Sequence, residues 1–147
     1  MASQPGAIRQ AAVIPVRSGR VCLVTSSSGK RWVVPKGCLE PGKSSGEIAL
    51  QEAWEEAGLV GVLQPDPLGS YLYEKDDRNH HVLVYLMQVT QVAEEWPEVG
   101  WRSRAWMSFK QALLRIEEVG LREVIRGVST IQHELALSRA FEVPVMP

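Results

Sequence analysis

Glu52, Glu55 and Glu56 lie close together in the run Gln51-Glu52-Ala53-Trp54-Glu55-Glu56-Ala57-Gly58-Leu59. In a helix, Glu52 and Glu56 stand one above the other and Glu55 sits about 60° to one side, so three carboxylates share a narrow strip. Like charges four residues apart destabilise a helix by a few tenths of a kcal/mol per pair. A strip of this kind calls for a compensating partner. A hard divalent cation suits carboxylate oxygens, Mg²⁺ first and Mn²⁺ as the other possibility. A solvated acidic face would show the same pattern, so the neighbouring residues must decide.

Immediately upstream, Pro35-Lys36-Gly37-Cys38-Leu39-Glu40-Pro41-Gly42 is a turn-rich loop whose glycines and prolines fix chain direction and allow close approach to a ligand. It runs straight into the acidic stretch. Ser44 or Ser45 is available as N-cap and Gly58 as the stop, which predicts a helix over about 44–57. Ile48, Leu50, Ala53, Trp54 and Ala57 supply its apolar packing surface.

Loop and helix together resemble the Nudix box, G-x5-E-x7-R-E-U-x-E-E-x-G-U with U a bulky apolar residue. The first Gly falls on Gly37, the glutamates on Glu52, Glu55 and Glu56, and the closing pair on Gly58-Leu59. This chain departs from the pattern at its early Glu, which is Lys43, at its Arg, which is Gln51, and at the apolar position, which is Ala53. In the family that Arg is credited with orienting a catalytic carboxylate and the early Glu with bracing the loop on the helix. Neither touches the metal in that picture, so the resemblance implies a working site, slowed by the two lost charges.

A length of 147 residues with 45% hydrophobic content suits one globular domain over 1–147, with 1–7 as a loose tail. A net charge of −1 gives no reason to expect nucleic-acid binding, which needs a strongly basic domain. Cys22 and Cys38 show neither metal-ligand spacing nor a disulfide framework, which points to a reducing cytoplasm. No run of apolar residues reaches membrane-spanning length, and the first residues lack the parts of a signal peptide. The expected partners are therefore a small phosphorylated substrate, no nucleic acid and no membrane, in a monomer or homodimer.

Strands are predicted over 8–16 and 20–25 as a hairpin turned at Ser18-Gly19, then over 31–34, 60–64, 68–74, 80–89 and 101–107. The strand over 80–89 should pair with the one over 68–74. Residues 90–100 read as a loop anchored by Trp96. A helix over 108–119, ended by Gly120, and a last helix over 121–139 follow. This order of elements predicts an α/β fold, and the resemblance implies the Nudix-type α/β/α sandwich with a mixed central sheet.

Ser26-Ser27-Ser28, Arg31-Trp32-Val33-Val34-Pro35, Glu40-Pro41, Glu94-Glu95-Trp96 and Arg102-Ser103-Arg104-Ala105-Trp106 are similar to the diphosphoinositol polyphosphate phosphohydrolase branch of the family. That branch holds a highly phosphorylated substrate with basic residues, and the matching positions are Arg17, Lys30, Arg31, Arg78, His80, Arg102 and Arg104. Lys36 matches dinucleoside polyphosphate hydrolases instead, and Lys43, beside the helix start, is a further candidate for substrate phosphate. Arg and Lys suit this task because the guanidinium fork takes two phosphate oxygens and the ammonium acts as a mobile point charge.

The resemblance implies Mg²⁺-dependent hydrolysis of a phosphoanhydride. Glu52, Glu55, Glu56 and the carbonyl of Gly37 would hold the metal, with Glu56 the strongest ligand and Glu52 or Glu55 the base. The expected substrates are diphosphoinositol or dinucleoside polyphosphates. The rival expectation is a Nudix-fold module that binds a phosphorylated ligand without turnover, motivated by Lys43 and Gln51.

Overall fold

The computed structural model describes residues 6–128. In chain order the elements are β1 (Ile8–Arg17), β2 (Arg20–Thr25), β3 (Trp32–Val33), β4 (Lys36–Cys38), α1 (Ser45–Ala57), β5 (Leu59–Leu63), β6 (Gly69–Lys75), β7 (Arg78–Val92), β8 (Arg104–Met107) and α2 (Phe109–Arg115), with residues 119–128 helical again.

The sheet is built around β1, which is apolar on both faces. Ala12, Ile14 and Val16 enter one core while Ala11 and Val13 enter the other. β1 runs parallel to β7, from Ile8 opposite His80 to Val16 opposite Gln88, and the other strand pairings are antiparallel. The order is β3-β2-β1-β7-β5, with β4 added to β1, β6 to β7 and β8 to β2. β6 and β5 share one edge of β7, so the expected pairing of β6 with β7 is present.

On one face, Ile48, Ala49, Ala53 and Ala57 of α1 pack against Val13, Cys22, Val24 and Met87. On the other, Phe109, Ala112 and Ile116, together with Leu121, Ile125 and Val128, cover Ile14, Leu23, Val82 and Val84. The architecture is thus an α/β/α sandwich on a mixed sheet. Each fully buried Ile or Leu contributes about 1.5–3 kcal/mol relative to exposure.

Several local expectations need correction. Residues 101–107 do not form one strand, because the end of β2 binds Ser103 as backbone while Arg102 turns its side chain inward, and regular pairing starts only at Arg104. The helix predicted over 108–119 stops at Arg115, where Ile116 becomes extended. Gly120 stops nothing, since it lies inside the helical residues 119–128 against Tyr71. Trp54 is exposed rather than packed. Positions 129–139 of the predicted last helix and 1–5 of the predicted tail lie outside the described residues.

The helix that carries the carboxylates is well terminated. Ser44 is its N-cap and exchanges hydrogen bonds with Glu47 in a capping box. At the other end Gly58 adopts φ 65°, ψ 32° and donates its N–H to the carbonyls of Ala53 and Trp54. A Cβ on Gly58 would also stand 2.9 Å from Arg104 Nη1 and from the Trp96 ring. Gly58→Ala should therefore cost more than about 1 kcal/mol, whereas Gly46→Ala, with only Leu63 Cδ1 and Ser44 Oγ within 4 Å, should be neutral or mildly stabilising. Thermal melts check this, with a fall of about 3 °C or more expected for the first variant alone.

Candidate active site

β4 lies antiparallel to the start of β1 and brings Lys36 and Gly37 beside the last turns of α1. Glu56, 4% exposed, is tethered through both oxygens. Its Oε2 accepts the Lys36 backbone N–H at 2.9 Å, and its Oε1 lies 3.1 Å from Arg102 Nη2. Glu52 occupies the space that a side chain at residue 37 would take, since a Cβ there would sit 2.1 Å from Glu52 Oε1. Only glycine at residue 37 leaves that space open to the carboxylate.

Burial, and next the charges of Glu56 and Glu55, push the Glu52 carboxyl up to about 8. Burial also raises Glu56, against the opposing pull of Arg102 and the Lys36 N–H. Among the described residues no three His, Cys, Asp or Glu side chains are already gathered closely enough to hold a metal. The donor set nevertheless fits a small hard cation. Mg²⁺ keeps several waters and commonly takes only one or two protein carboxylates beside substrate phosphates, and here adjacent carboxylates of one sign crowd together.

Residues 93–104 strap the C-terminal end of α1. Glu98 N–H donates to the Glu55 carbonyl at 3.1 Å, Trp96 Nε1 to that of Glu56 at 3.0 Å, and Arg104 Nη1 to that of Ala57 at 2.7 Å. Helix-end carbonyls left open by the α-helical pattern thus receive donors from distant sequence. Trp96 is the anchor its isolation in a polar stretch suggested.

Beside the acidic strip lies a groove of about 400 Å³, with Arg31, Lys36, Lys75, Arg102 and His80 on its walls, Ser26, Ser27 and Ser28 at one side, and Glu56 at its acidic edge. His80 is buried, donates from Nδ1 to the Arg78 carbonyl, and stacks on Tyr73 with centroids 4.5 Å apart. Lys36 Nζ lies 5.4 Å from the Tyr73 ring centroid. A smaller pocket of about 100 Å³ shares the Arg31, Lys36, Tyr73 and Lys75 wall and is floored by Trp32, Tyr71, Ile116 and Leu121.

The structure thus gathers Arg31, Lys36, His80 and Arg102 at one mouth. Other candidates lie elsewhere. Arg17 faces Arg20 at the outer end of the β1–β2 hairpin, Lys30 is exposed in the serine loop, and Arg78 is exposed at the β6–β7 turn; none of the three lines the groove. Arg104 is engaged with the carbonyls of Ala57 and Ala93 and lies over the Trp96 ring at 4.1 Å, so it braces the helix end rather than facing a ligand.

Lys43 also changes role. Its Nζ donates to Gln51 Oε1 at 2.6 Å and pairs with Glu40 at 3.4 Å, away from the groove. The two positions where the box changes its charges therefore meet each other and tie the loop to the helix with altered polarity. Gln10 and Lys75 were missed. A polar residue interrupting the apolar run of β1, and a lysine two and four places after Tyr73 and Tyr71 on the same strand face, were the available signals.

The NUDIX domain family model matches residues 7–128. The chain belongs to the Nudix hydrolase family. This Nudix chain is 38% identical over 112 residues to the diphosphoinositol polyphosphate phosphohydrolase 3-beta of Bos taurus, covering 71% of the chain and 66% of that protein. It is 34% identical over 110 residues to Nudix hydrolase 4 of Arabidopsis thaliana, covering 74% and 53%. The chain thus spans between about half and two thirds of the length of these relatives. Among solved structures, the C. elegans Ap4A hydrolase superposes with a TM-score of 0.70 at 17% identity, over 86% of this chain and 98% of that one. A NUDIX hydrolase from Nitrosomonas europaea gives 0.69 at 18%, over 82% and 86%. At these identities the likeness shows the fold.

Two measurements probe the site. Because the Glu52 pKa is raised by folding, its contribution to stability is present below about 4.5 and is lost as pH climbs through about 8. Protein stripped of divalent ions by a chelator should lose melting temperature over that window, and saturating Mg²⁺ should flatten the decline. For the loop brace, Lys43→Glu and Gln51→Arg should each lower the melting temperature, while the double variant recovers, with a coupling of about 0.5–1 kcal/mol. Purely additive losses would show that the Lys43–Gln51 contact carries no energy.

Proposed function

We propose that this Nudix protein is a divalent-metal-dependent pyrophosphohydrolase that cleaves phosphoanhydride bonds in small polyphosphorylated molecules, with diphosphoinositol or dinucleoside polyphosphates as substrates, in the cytoplasm. The observation that carries the reading is the adjacency of two opposite charge fields: carboxylates crowded on α1 and a groove walled by cations. The diphosphoinositol polyphosphate phosphohydrolase and Ap4A hydrolase relatives point to the same substrate class.

Arg31, Lys36 and Lys75 hold phosphate oxygens, Ser26 to Ser28 offer hydroxyls along one side, and His80 adds a polar edge stiffened by Tyr73. Glu52, Glu55, Glu56 and the Gly37 carbonyl would hold Mg²⁺, or Mn²⁺ in its place. When bound, that ion neutralises charge on the phosphate oxygens and lowers the pKa of the attacking water. Glu52 or Glu55 orients that water and takes its proton, because Glu56 already has a donor on each oxygen.

The test is phosphate release from a diphosphoinositol compound, diadenosine tetraphosphate and ADP-ribose, with and without Mg²⁺. Turnover should require the metal, favour the more highly phosphorylated ligands and fall with added salt. Glu52→Gln keeps the shape and removes one repelling charge. It should melt higher than the parent above pH of about 8 without metal, yet lose about 100-fold or more in kcat. Turnover within about twofold of the parent would exclude Glu52 from the chemistry. Tight ligand binding by a parent without turnover would identify a binding module instead.

A further inference from the structure

Each nitrogen of the Arg102 guanidinium finds an acceptor inside the protein. Nε donates to Glu98 Oε1 at 2.5 Å, Nη1 to the Thr25 carbonyl at 2.7 Å, and Nη2 faces Glu56 Oε1 at 3.1 Å. The cation also lies 4.8 Å from the Trp101 ring centroid, and its side chain is only 12% exposed. These acceptors belong to three separate parts of the fold: the end of β2, the strap and α1. Gln51, next to Glu52 on the helix, turns to Lys43 instead. We propose that Arg102 is the positioning residue of the acidic strip, fixing the Glu56 carboxylate in place.

The geometry explains why an arginine is needed. A carboxylate on a long side chain must be held at both oxygens to stop it rotating, and Glu56 is held from β4 by the Lys36 N–H and from the strap by Arg102. A planar fork directs three donors at three fixed acceptors, whereas a lysine offers one nitrogen and no fixed plane. Glu98 locks the fork in turn. Its carboxylate takes Nε while its own N–H is bound to the Glu55 carbonyl, so the strap carries Arg102 in register with the helix. The clamp uses one N–H on each of the three nitrogens, out of five in the guanidinium, so it holds Glu56 whether or not the groove is filled. The reaction that this placement serves is the one proposed above, but the placement itself can be measured without it.

The experiment uses the full chain and two independent readouts. In metal-free protein, hydrogen exchange by NMR should show the Lys36 amide opening at least about tenfold faster in Arg102→Gln and in Glu98→Gln, with the Val13 amide, bonded to the Pro35 carbonyl, unchanged. With Mg²⁺ and diadenosine tetraphosphate, both variants should lose about 10- to 100-fold in kcat with KM within about threefold, and Arg102→Lys should not restore kcat. A raised KM at unchanged kcat, near-parental kcat in Arg102→Lys, or an unaltered Lys36 amide would each overturn the assignment. Should Arg102→Gln fail to fold, Glu98→Gln, outside the groove lining, decides alone. A parent without turnover would end the proposed function, while the exchange data would still settle the role of Arg102.

Discussion

Three carboxylates stand in the last turns of a helix whose own dipole is negative at that end, and no basic residue shares the last turn with them. Both effects have the same sign, so the helix on its own is poorly suited to the charges it carries. Much of the surrounding structure supplies what it lacks. Gly58, Glu98, Trp96 and Arg104 donate to its terminal carbonyls, and Arg102 and the Lys36 N–H reach the Glu56 carboxylate. The path of the strap follows from that need. Once residues 93–104 have crossed the helix end, the chain enters β8 beside β2, and the groove opens between β4, β6 and the serine loop that follows β2.

Features set by local chemistry were legible in the sequence. Ser44, Gly58 and the spacing of Ile48, Ala53 and Ala57 define α1 because caps and periodicity act within a few residues, although the buried face takes in Ala49 and leaves Trp54 exposed. The Ser18-Gly19 turn and the apolar run after it likewise exposed β2, and the polar turn at 75–79 exposed the pairing of β6 with β7, though β4 was too short to show a period. What escaped depends on partners far apart in the chain. Arg102 and Arg104 are near neighbours of the same type, yet one reaches a carboxylate and the other a pair of carbonyls. Residue type announces a donor; only the fold says where it points. Lys43 shows the same limit, since a cation at a helix start reads as a ligand for phosphate until Gln51 and Glu40 are found beside it.

The groove has the complementary problem. Burial lowers the Lys36 pKa, and the charges of Lys75, Arg31 and Arg102 lower it further, with Glu56 alone acting the other way. The cations gathered at the mouth therefore repel one another, just as the carboxylates do on the helix. With a net charge of only −1 the protein is close to balanced, so the two fields are local separations of charge fixed side by side by the sheet and the strap. A polyanion relieves the first field and a divalent cation the second. Under the proposed function the substrate and its metal arrive with both signs together, each lowering the cost of binding the other, and the Glu56–Arg102 pair sits on the boundary where the two fields meet.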